Sequence, residues 1–135
     1  MNAELSIYNI VIKESHIDSY GHVNNSAYLA LFEEARWEII TSRGFGFLEI
    51  HKKKQGPVIL EVNLKFMREI GLREKILITT QILSYKGKVG QMVQQMKKED
   101  GTVACEATFT FGLFDMRERK LIEPTVEWRN ALGME

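Results

Sequence analysis

The feature that most constrains the fold is a helical run over residues 26–43, whose apolar side chains spread well beyond one narrow stripe. At a rise of ~1.5 Å per residue, this helix would be roughly 27 Å long. One of the three polar residues at 24–26 can cap its start, and Gly44 suits its end. A helix with so wide an apolar surface needs cover on several sides. The apolar positions are Tyr28, Leu29, Leu31, Phe32, Ala35, Ile39 and Ile40.

The remaining sequence supplies that cover as strands, because apolar and polar residues alternate there with a period of two. Turn signals at residues 85–88 and at Asp100-Gly101 separate the later runs as hairpins. Residues 45–56 are read as a connector, and residues 124–132 as a short terminal helix. The order of elements predicts an α+β fold, in which a five-stranded antiparallel sheet wraps around the long helix. The alternating runs lie at residues 5–13 before the helix and at 58–67, 76–85, 88–98 and 102–114 after it.

Residues 1–135 are expected to form a single domain, since the chain is long enough for one hydrophobic core and shows no linker or repeat. An open sheet of five strands leaves an edge whose backbone N–H and C=O groups lack partners. Pairing two subunits edge to edge removes that exposed edge, so we expect the chain to dimerise.

Composition excludes several classes of partner and site. The formal net charge of zero leaves no basic field for a nucleic-acid backbone, so DNA and RNA are not expected as partners. Cys105 is the one cysteine, which excludes a disulfide framework or a thiolate metal site within one chain. His16 and His51 lack neighbouring metal ligands, so neither a metal nor another cofactor is expected. Without a signal peptide or an apolar run of ~18 residues, we expect a cytoplasmic protein that does not insert into membranes.

The densest cluster of potential chemistry lies in residues 15–25, immediately before the long helix. A helix N-terminus presents unpaired N–H groups and a partial positive charge, so the region of Asn25 suits an oxyanion. Asp18 lies seven residues upstream and can fold back over the same helix end. Its carboxylate can act as a general base on water or attack a carbonyl carbon directly, and both routes remain open. The plainer alternative is that Asp18 is a loop or capping residue.

A longer motif narrows these alternatives. The stretch Asp18-Ser19-Tyr20-Gly21-His22-Val23-Asn24-Asn25, followed by Tyr28 and by residues 32–37, resembles the hot-dog-fold acyl-CoA thioesterases of the 4-hydroxybenzoyl-CoA thioesterase type. It is most similar to the bacterial long-chain acyl-CoA thioesterases. The resemblance implies a hot-dog fold, homodimers or homotetramers with active sites between subunits, and Asp18 as the catalytic carboxylate. It also implies that the backbone N–H of Asn25 contacts the thioester oxygen.

The resemblance extends to several candidate substrate-binding residues. Gly21, Asn24 and Tyr28 match motif positions that shape the loop and the first helical turn. His22 is either a second acid/base or the donor or acceptor of a structural loop hydrogen bond, and the structural role is favoured. Three basic residues are candidates for the anionic nucleotide end of coenzyme A, with ordinary exposed charge as the alternative for each: Arg68, Lys86 and Lys88.

The function that this resemblance implies is hydrolysis of a fatty acyl-CoA, of medium to long chain, to the free acid and coenzyme A. Acyl-carrier-protein thioesters and aromatic acyl-CoA are alternative substrates. A hot-dog dehydratase or hydratase would carry a His-containing acid/base motif that this sequence lacks. A non-catalytic acyl-CoA-binding protein is the remaining alternative.

Overall fold

The long helix α1 spans Asn25–Ser42, within one residue of the predicted bounds at each end. Its N-cap is Asn24, whose side-chain Oδ1 accepts a hydrogen bond from the Ser26 N–H at 3.0 Å. Gly44 has a φ of 81° just beyond the helix, a conformation that glycine adopts without strain. The computed structural model describes residues 3–134. The face of α1 turned to the core carries Tyr28, Leu31, Phe32, Ala35 and Ile40.

An antiparallel sheet packs against this helix. Its strands are β1 (Ser6–Val11), β2 (Gln55–Phe66), β3 (Lys75–Lys86), β4 (Val89–Lys97) and β5 (Val103–Asp115). Their order in the sheet is β1-β3-β4-β5-β2. Strand β1 precedes the helix, and the other strands follow it, as predicted. One face of β5 is buried at a spacing of two residues and carries Cys105, Ala107, Phe109, Phe111 and Leu113.

A 3₁₀ turn at Glu14–His16 and three further short elements complete the fold of residues 3–134, and of these the sequence predicted the terminal helix. The terminal helix α3 (Val126–Ala131) lies inside the predicted range. The stretch read as a connector contains the helix α2 (Phe47–Lys53), which the spacing of its few apolar residues did not reveal. Strand β6 (Lys120–Ile122) pairs with the end of β5, so the sheet has six strands instead of five. Three residues are too few to show a period of two.

Strand β2 forms one edge of the sheet and is its most exposed strand. The register with β5 shifts between Ile59 and Glu61, which leaves Leu60 outside the regular pairing. Four apolar side chains along this edge are 38–51% exposed: Ile59, Leu60, Val62 and Phe66. The edge therefore offers both unpaired backbone groups and apolar area.

Candidate active site at the N-terminus of the long helix

The loop before α1 is closed by its own backbone. Ile17 and Val23 form an antiparallel bridge across it. The Asp18 N–H donates to the His22 carbonyl oxygen, and the Gly21 N–H donates to the Asp18 carbonyl oxygen, both at 3.0 Å. Gly21 has a φ of 83°, which an L side chain would strain, so glycine is required by this turn. The turn holds Asp18 over the start of the helix.

The carboxylate of Asp18 is half-buried and only partly engaged. Its Oδ1 accepts a hydrogen bond from the Tyr20 N–H at 2.9 Å. Within residues 3–134, Oδ2 has no hydrogen-bond donor and no cation within 4.0 Å. One oxygen therefore fixes the side chain and the other is free to accept a proton or to attack an electrophile.

The backbone N–H of Asn25 is the unsatisfied donor at the loop–helix junction. Its neighbours Val23, Asn24, Ser26 and Ala27 all donate to acceptors at 2.9–3.0 Å. In the described part of the chain, the Asn25 N–H has no acceptor, as expected for the first residue of a helix. It is thus available to a ligand at the positive end of α1. The four neighbouring hydrogen bonds run from Val23 N–H to Ile70 O, from Asn24 N–H to His16 O, from Ser26 N–H to Asn24 Oδ1 and from Ala27 N–H to Asn24 O.

The structure brings five of the seven predicted site residues to one place. They line an open depression of about 460 Å³, at the end of β2 and the start of α1. Gly21 and Asn24 do not line it: Gly21 forms the turn, and the Asn24 side chain caps the helix. The five predicted residues are Asp18, His22, Asn25, Tyr28 and Arg68, and the other lining residues are Tyr20, Val23, Phe66, Met67 and Glu69.

Tyr28 is 4% exposed, and its ring meets the edge of the Phe66 ring with centroids 5.0 Å apart. Its hydroxyl has no hydrogen-bond partner among residues 3–134, where no fully buried side-chain polar atom is left unpaired. The oxygen must therefore reach the depression. Burial raises the pKa of Tyr28 to about 12, and the nearby Cys105, Glu69 and Asp18 act in the same direction. The hydroxyl keeps its proton at neutral pH and can donate a hydrogen bond.

His22 makes its loop hydrogen bond through the backbone, because its carbonyl oxygen accepts from Asp18. Its side-chain Nε2 lies 3.3 Å from Oε2 of Glu69 on the rim of the depression. The sequence did not single out Glu69 or Tyr20 as site residues. Glu69 reaches the depression because His22 pairs with Gly71 in an isolated bridge. No local sequence pattern predicts this long-range pairing.

Arg68 is exposed on the rim and offers one cation to an anionic ligand. Lys86 and Lys88 lie at the turn between β3 and β4, near the Phe111 end of β5. The depression lies at the opposite end, where Phe66 pairs with Cys105. Within one chain, the structure therefore separates the two lysines from the depression and leaves Arg68 beside it.

Residues 3–134 contain neither a cluster of metal ligands nor a membrane-spanning helix. No group of three or more His, Cys, Asp or Glu side chains is arranged to hold a metal ion. No helix there is long and apolar enough to cross a membrane.

Known proteins are similar to this chain in sequence and in fold. The family model of the thioesterase-like superfamily matches residues 12–132. The chain belongs to this superfamily. The long-chain acyl-CoA thioesterase FadM of Escherichia coli (strain K12) is 32% identical over 125 residues, which cover 91% of this chain and 93% of FadM.

Two solved structures extend the comparison of this thioesterase-superfamily chain. The probable thioesterase YbaW from Escherichia coli has a TM-score of 0.82 at 30% identity, covering 94% of this chain and 96% of YbaW. The protein SAV2348 from Staphylococcus aureus, solved in complex with CoA, has a TM-score of 0.89 at 18% identity. That match covers 100% of this chain and 89% of SAV2348, and it shows the fold alone. The predicted hot-dog fold and the predicted membership of the thioesterases are both confirmed.

Proposed function

We propose that this chain hydrolyses fatty acyl-CoA of medium to long chain, giving the free acid and coenzyme A. The observation that carries the proposal is the pairing of a free Asp18 oxygen with the unsatisfied Asn25 N–H in one depression. The similarity to FadM supports the choice of substrate, since FadM is named a long-chain acyl-CoA thioesterase.

The reaction requires a nucleophile and a donor for the oxygen that gains charge. The thioester oxygen accepts a hydrogen bond from the Asn25 N–H, where the dipole of an 18-residue helix favours negative charge. Asp18 takes a proton from water as the water oxygen attacks the carbonyl carbon. The C–S bond then breaks, and the proton passes to the departing thiolate. In the alternative route, Asp18 attacks the carbonyl carbon itself, and the C–S bond breaks to give an anhydride and the thiolate of coenzyme A. Water then hydrolyses the anhydride to the free acid and the Asp18 carboxylate, and the proton released passes to the thiolate.

The Tyr28 hydroxyl acts as a second donor to the thioester oxygen. It lies in the first turn of α1, it lines the same depression, and the protein provides no acceptor for it in residues 3–134. Because this hydroxyl has no acceptor in the described chain, no protein hydrogen bond has to break when it donates to a substrate. The apolar acyl chain lies against Phe66 and Met67, and Arg68 contacts the phosphates of coenzyme A.

Assembly completes the site. The exposed edge strand β2 ends beside the depression, so a second subunit paired on β2 forms another wall for the substrate. We therefore include a homodimer, with active sites between subunits, in the proposed function. A homotetramer would be built from two such dimers.

The direct test is the variant Asp18→Asn, assayed by release of free thiol from acyl-CoA substrates of short, long and aromatic acyl groups. We expect kcat to fall by at least about 10²-fold, because the amide cannot act as a base or a carboxylate nucleophile. Asp100→Asn is the matched control, since Asp100 also accepts a backbone N–H within a loop but lies in the β4–β5 turn. An Asp18→Asn enzyme with the wild-type rate and fold would refute the mechanism. The substrate panel identifies the acyl group.

A further inference from the structure

Helix α2 exposes most of its apolar surface instead of burying it. Phe47 is 65% exposed and Leu48 is 74% exposed, whereas Ile50 is the one buried residue of the helix. Ile50 packs closely on Gly56 of β2, since a Cβ there would lie 2.9 Å from Ile50 Cγ2. Even the acidic Glu49 is half-buried on this helix. Packing within residues 3–134 therefore does not account for the two exposed apolar side chains.

The exposed side of α2 also carries basic residues. Residues four apart lie one above the other on a helix, so His51 follows Phe47 and Lys52 follows Leu48 on the surface. The Phe47 and His51 rings show this contact, with centroids 4.4 Å apart. All four side chains are exposed. Together Phe47, Leu48, His51 and Lys52 form a mixed apolar and basic surface, the α2 face.

The surroundings of the α2 face are basic as well. The Lys54 carbonyl oxygen accepts a hydrogen bond from the Met116 N–H at 2.8 Å, which joins the end of α2 to the turn between β5 and β6. Residues 47–54 and 115–120 contain six Lys or Arg and three Asp or Glu, a net charge of +3 in a chain whose formal net charge is zero. The cations are Lys52, Lys53, Lys54, Arg117, Arg119 and Lys120, and the acids are Glu49, Asp115 and Glu118.

We propose that the α2 face adsorbs to an anionic lipid bilayer, with Phe47 and Leu48 at the boundary between headgroups and acyl chains. Exposed Phe and Leu side chains beside Lys are typical of helices that lie in the membrane interface. Each cation within a screening length of ~8 Å of the surface adds attraction to anionic headgroups. The contact is peripheral, because only the side chains of one short helix reach the lipid.

Charge complementarity favours a lipid surface over a second copy of this chain. The α2 face contains no acidic residue, so a two-fold contact through it would bring Lys52 against the same cations of the other copy. The acids nearby are already engaged: Asp115 accepts two backbone N–H groups of its own turn at 2.9 Å, and Glu118 lies 3.9 Å from Lys120. Lipid phosphates supply the negative charge that the α2 face lacks.

This inference does not rest on the proposed function, because adsorption is measured without substrate. The assay is co-sedimentation of the full chain with vesicles of phosphatidylcholine, either alone or mixed with phosphatidylglycerol. We expect the partition coefficient to be at least about 10-fold higher for the mixed vesicles than for the neutral ones, because the basic surroundings attract the anionic headgroups. Added salt should reduce this difference, since it screens the attraction.

Two variants separate the apolar from the electrostatic contribution. The double variant Phe47→Ser with Leu48→Ser removes exposed apolar area, and we expect its partition coefficient to fall at least about 10-fold. Lys52→Glu reverses one charge, and we expect a fall of about 10-fold on mixed vesicles with little change on neutral ones. The controls are Ile7→Ser and Lys75→Glu, which make the same kinds of change at exposed positions near the other edge of the sheet.

Three outcomes would overturn the proposal. The first is a wild-type chain that binds mixed vesicles no better than neutral ones. The second is a set of folded α2 variants, checked by thermal unfolding, that bind vesicles like Ile7→Ser and Lys75→Glu. The third is a weaker self-association of the α2 variants in sedimentation equilibrium without lipid, which would assign the α2 face to a contact between copies. A wild-type chain that adsorbs to mixed vesicles but releases no thiol refutes only the proposed function.

Discussion

Asn25→Pro removes one backbone N–H at the helix end, together with a side chain that makes no hydrogen bond within residues 3–134. Asn25 is the first residue of α1, the position where proline is most readily accepted because that N–H has no partner within the helix. Asn24 has a ψ of 145°, which lies in the range preferred before proline. The Ser26 N–H is still capped by the Asn24 side chain. We therefore expect the free energy of unfolding to change by no more than about 1 kcal/mol.

The expected loss of activity is much larger than the change in stability. If the Asn25 N–H is the backbone donor to the thioester oxygen, its removal costs about 10²–10³ in kcat, or about 2.7–4 kcal/mol of transition-state stabilisation. Since the hydrogen bond strengthens as charge develops, kcat and kcat/KM fall together, with KM nearly constant. The matched variant Asn25→Ala keeps the N–H and removes a side chain without a hydrogen bond of its own, so its rate stays near that of the wild type.

The assay is thiol release from a fatty acyl-CoA, with thermal unfolding of all three proteins measured in parallel. The reasoning would be refuted by an Asn25→Pro enzyme that is folded and turns over within about threefold of Asn25→Ala. If kcat fell equally in Asn25→Pro and Asn25→Ala, the side chain of Asn25, and not its backbone N–H, would be the group that contributes to catalysis.

The remaining predictions concern a hydroxyl and a close contact. Tyr28→Phe lowers kcat about 10-fold with little change in KM, because one neutral hydrogen bond to the thioester is lost. Steady-state kinetics measure this loss. The control is Tyr20→Phe, which removes an exposed hydroxyl from the same depression. Gly112→Ala lowers the free energy of unfolding by about 1–3 kcal/mol, because the new Cβ would lie 2.8 Å from the Lys88 carbonyl oxygen. Urea denaturation measures that loss, and an unchanged midpoint relative to Thr110→Ala would contradict it.

The elements that could be predicted are those with a strong local signal. Helix α1 was predicted to within one residue because its apolar surface extends over five turns and a capping asparagine precedes it. Helix α2 and strand β6 were missed, since seven and three residues are too few for a period to show. Each is defined largely by what it packs or pairs with, such as the Leu113–Ile122 pair between β5 and β6.

The candidate site, like the fold, contains residues that a local sequence signal predicts and residues that only long-range packing brings in. Asp18 and Asn25 were identified because they lie close together in a recognisable motif. Glu69 was not, because nothing near it in the sequence shows that residues 66–69 return to the start of α1, and Tyr20 lies within the motif but had no role assigned to it. The cavity beside Arg36 was also beyond prediction, since it is lined by residues of α1 and of strands from distant parts of the chain.

The long helix, the region of its cap and the alternating residues of the strands follow from the preferences of neighbouring residues, so they can be predicted from the sequence alone. Which polar groups remain without partners depends on the tertiary structure. The Val23 N–H is satisfied by Ile70 from a distant segment, whereas the Asn25 N–H is left free. Arg36 meets a neutral amide from β4 in place of a carboxylate. Hydrogen bonds and ion pairs depend on acceptors far along the chain, and long-range strand pairing determines where those acceptors lie.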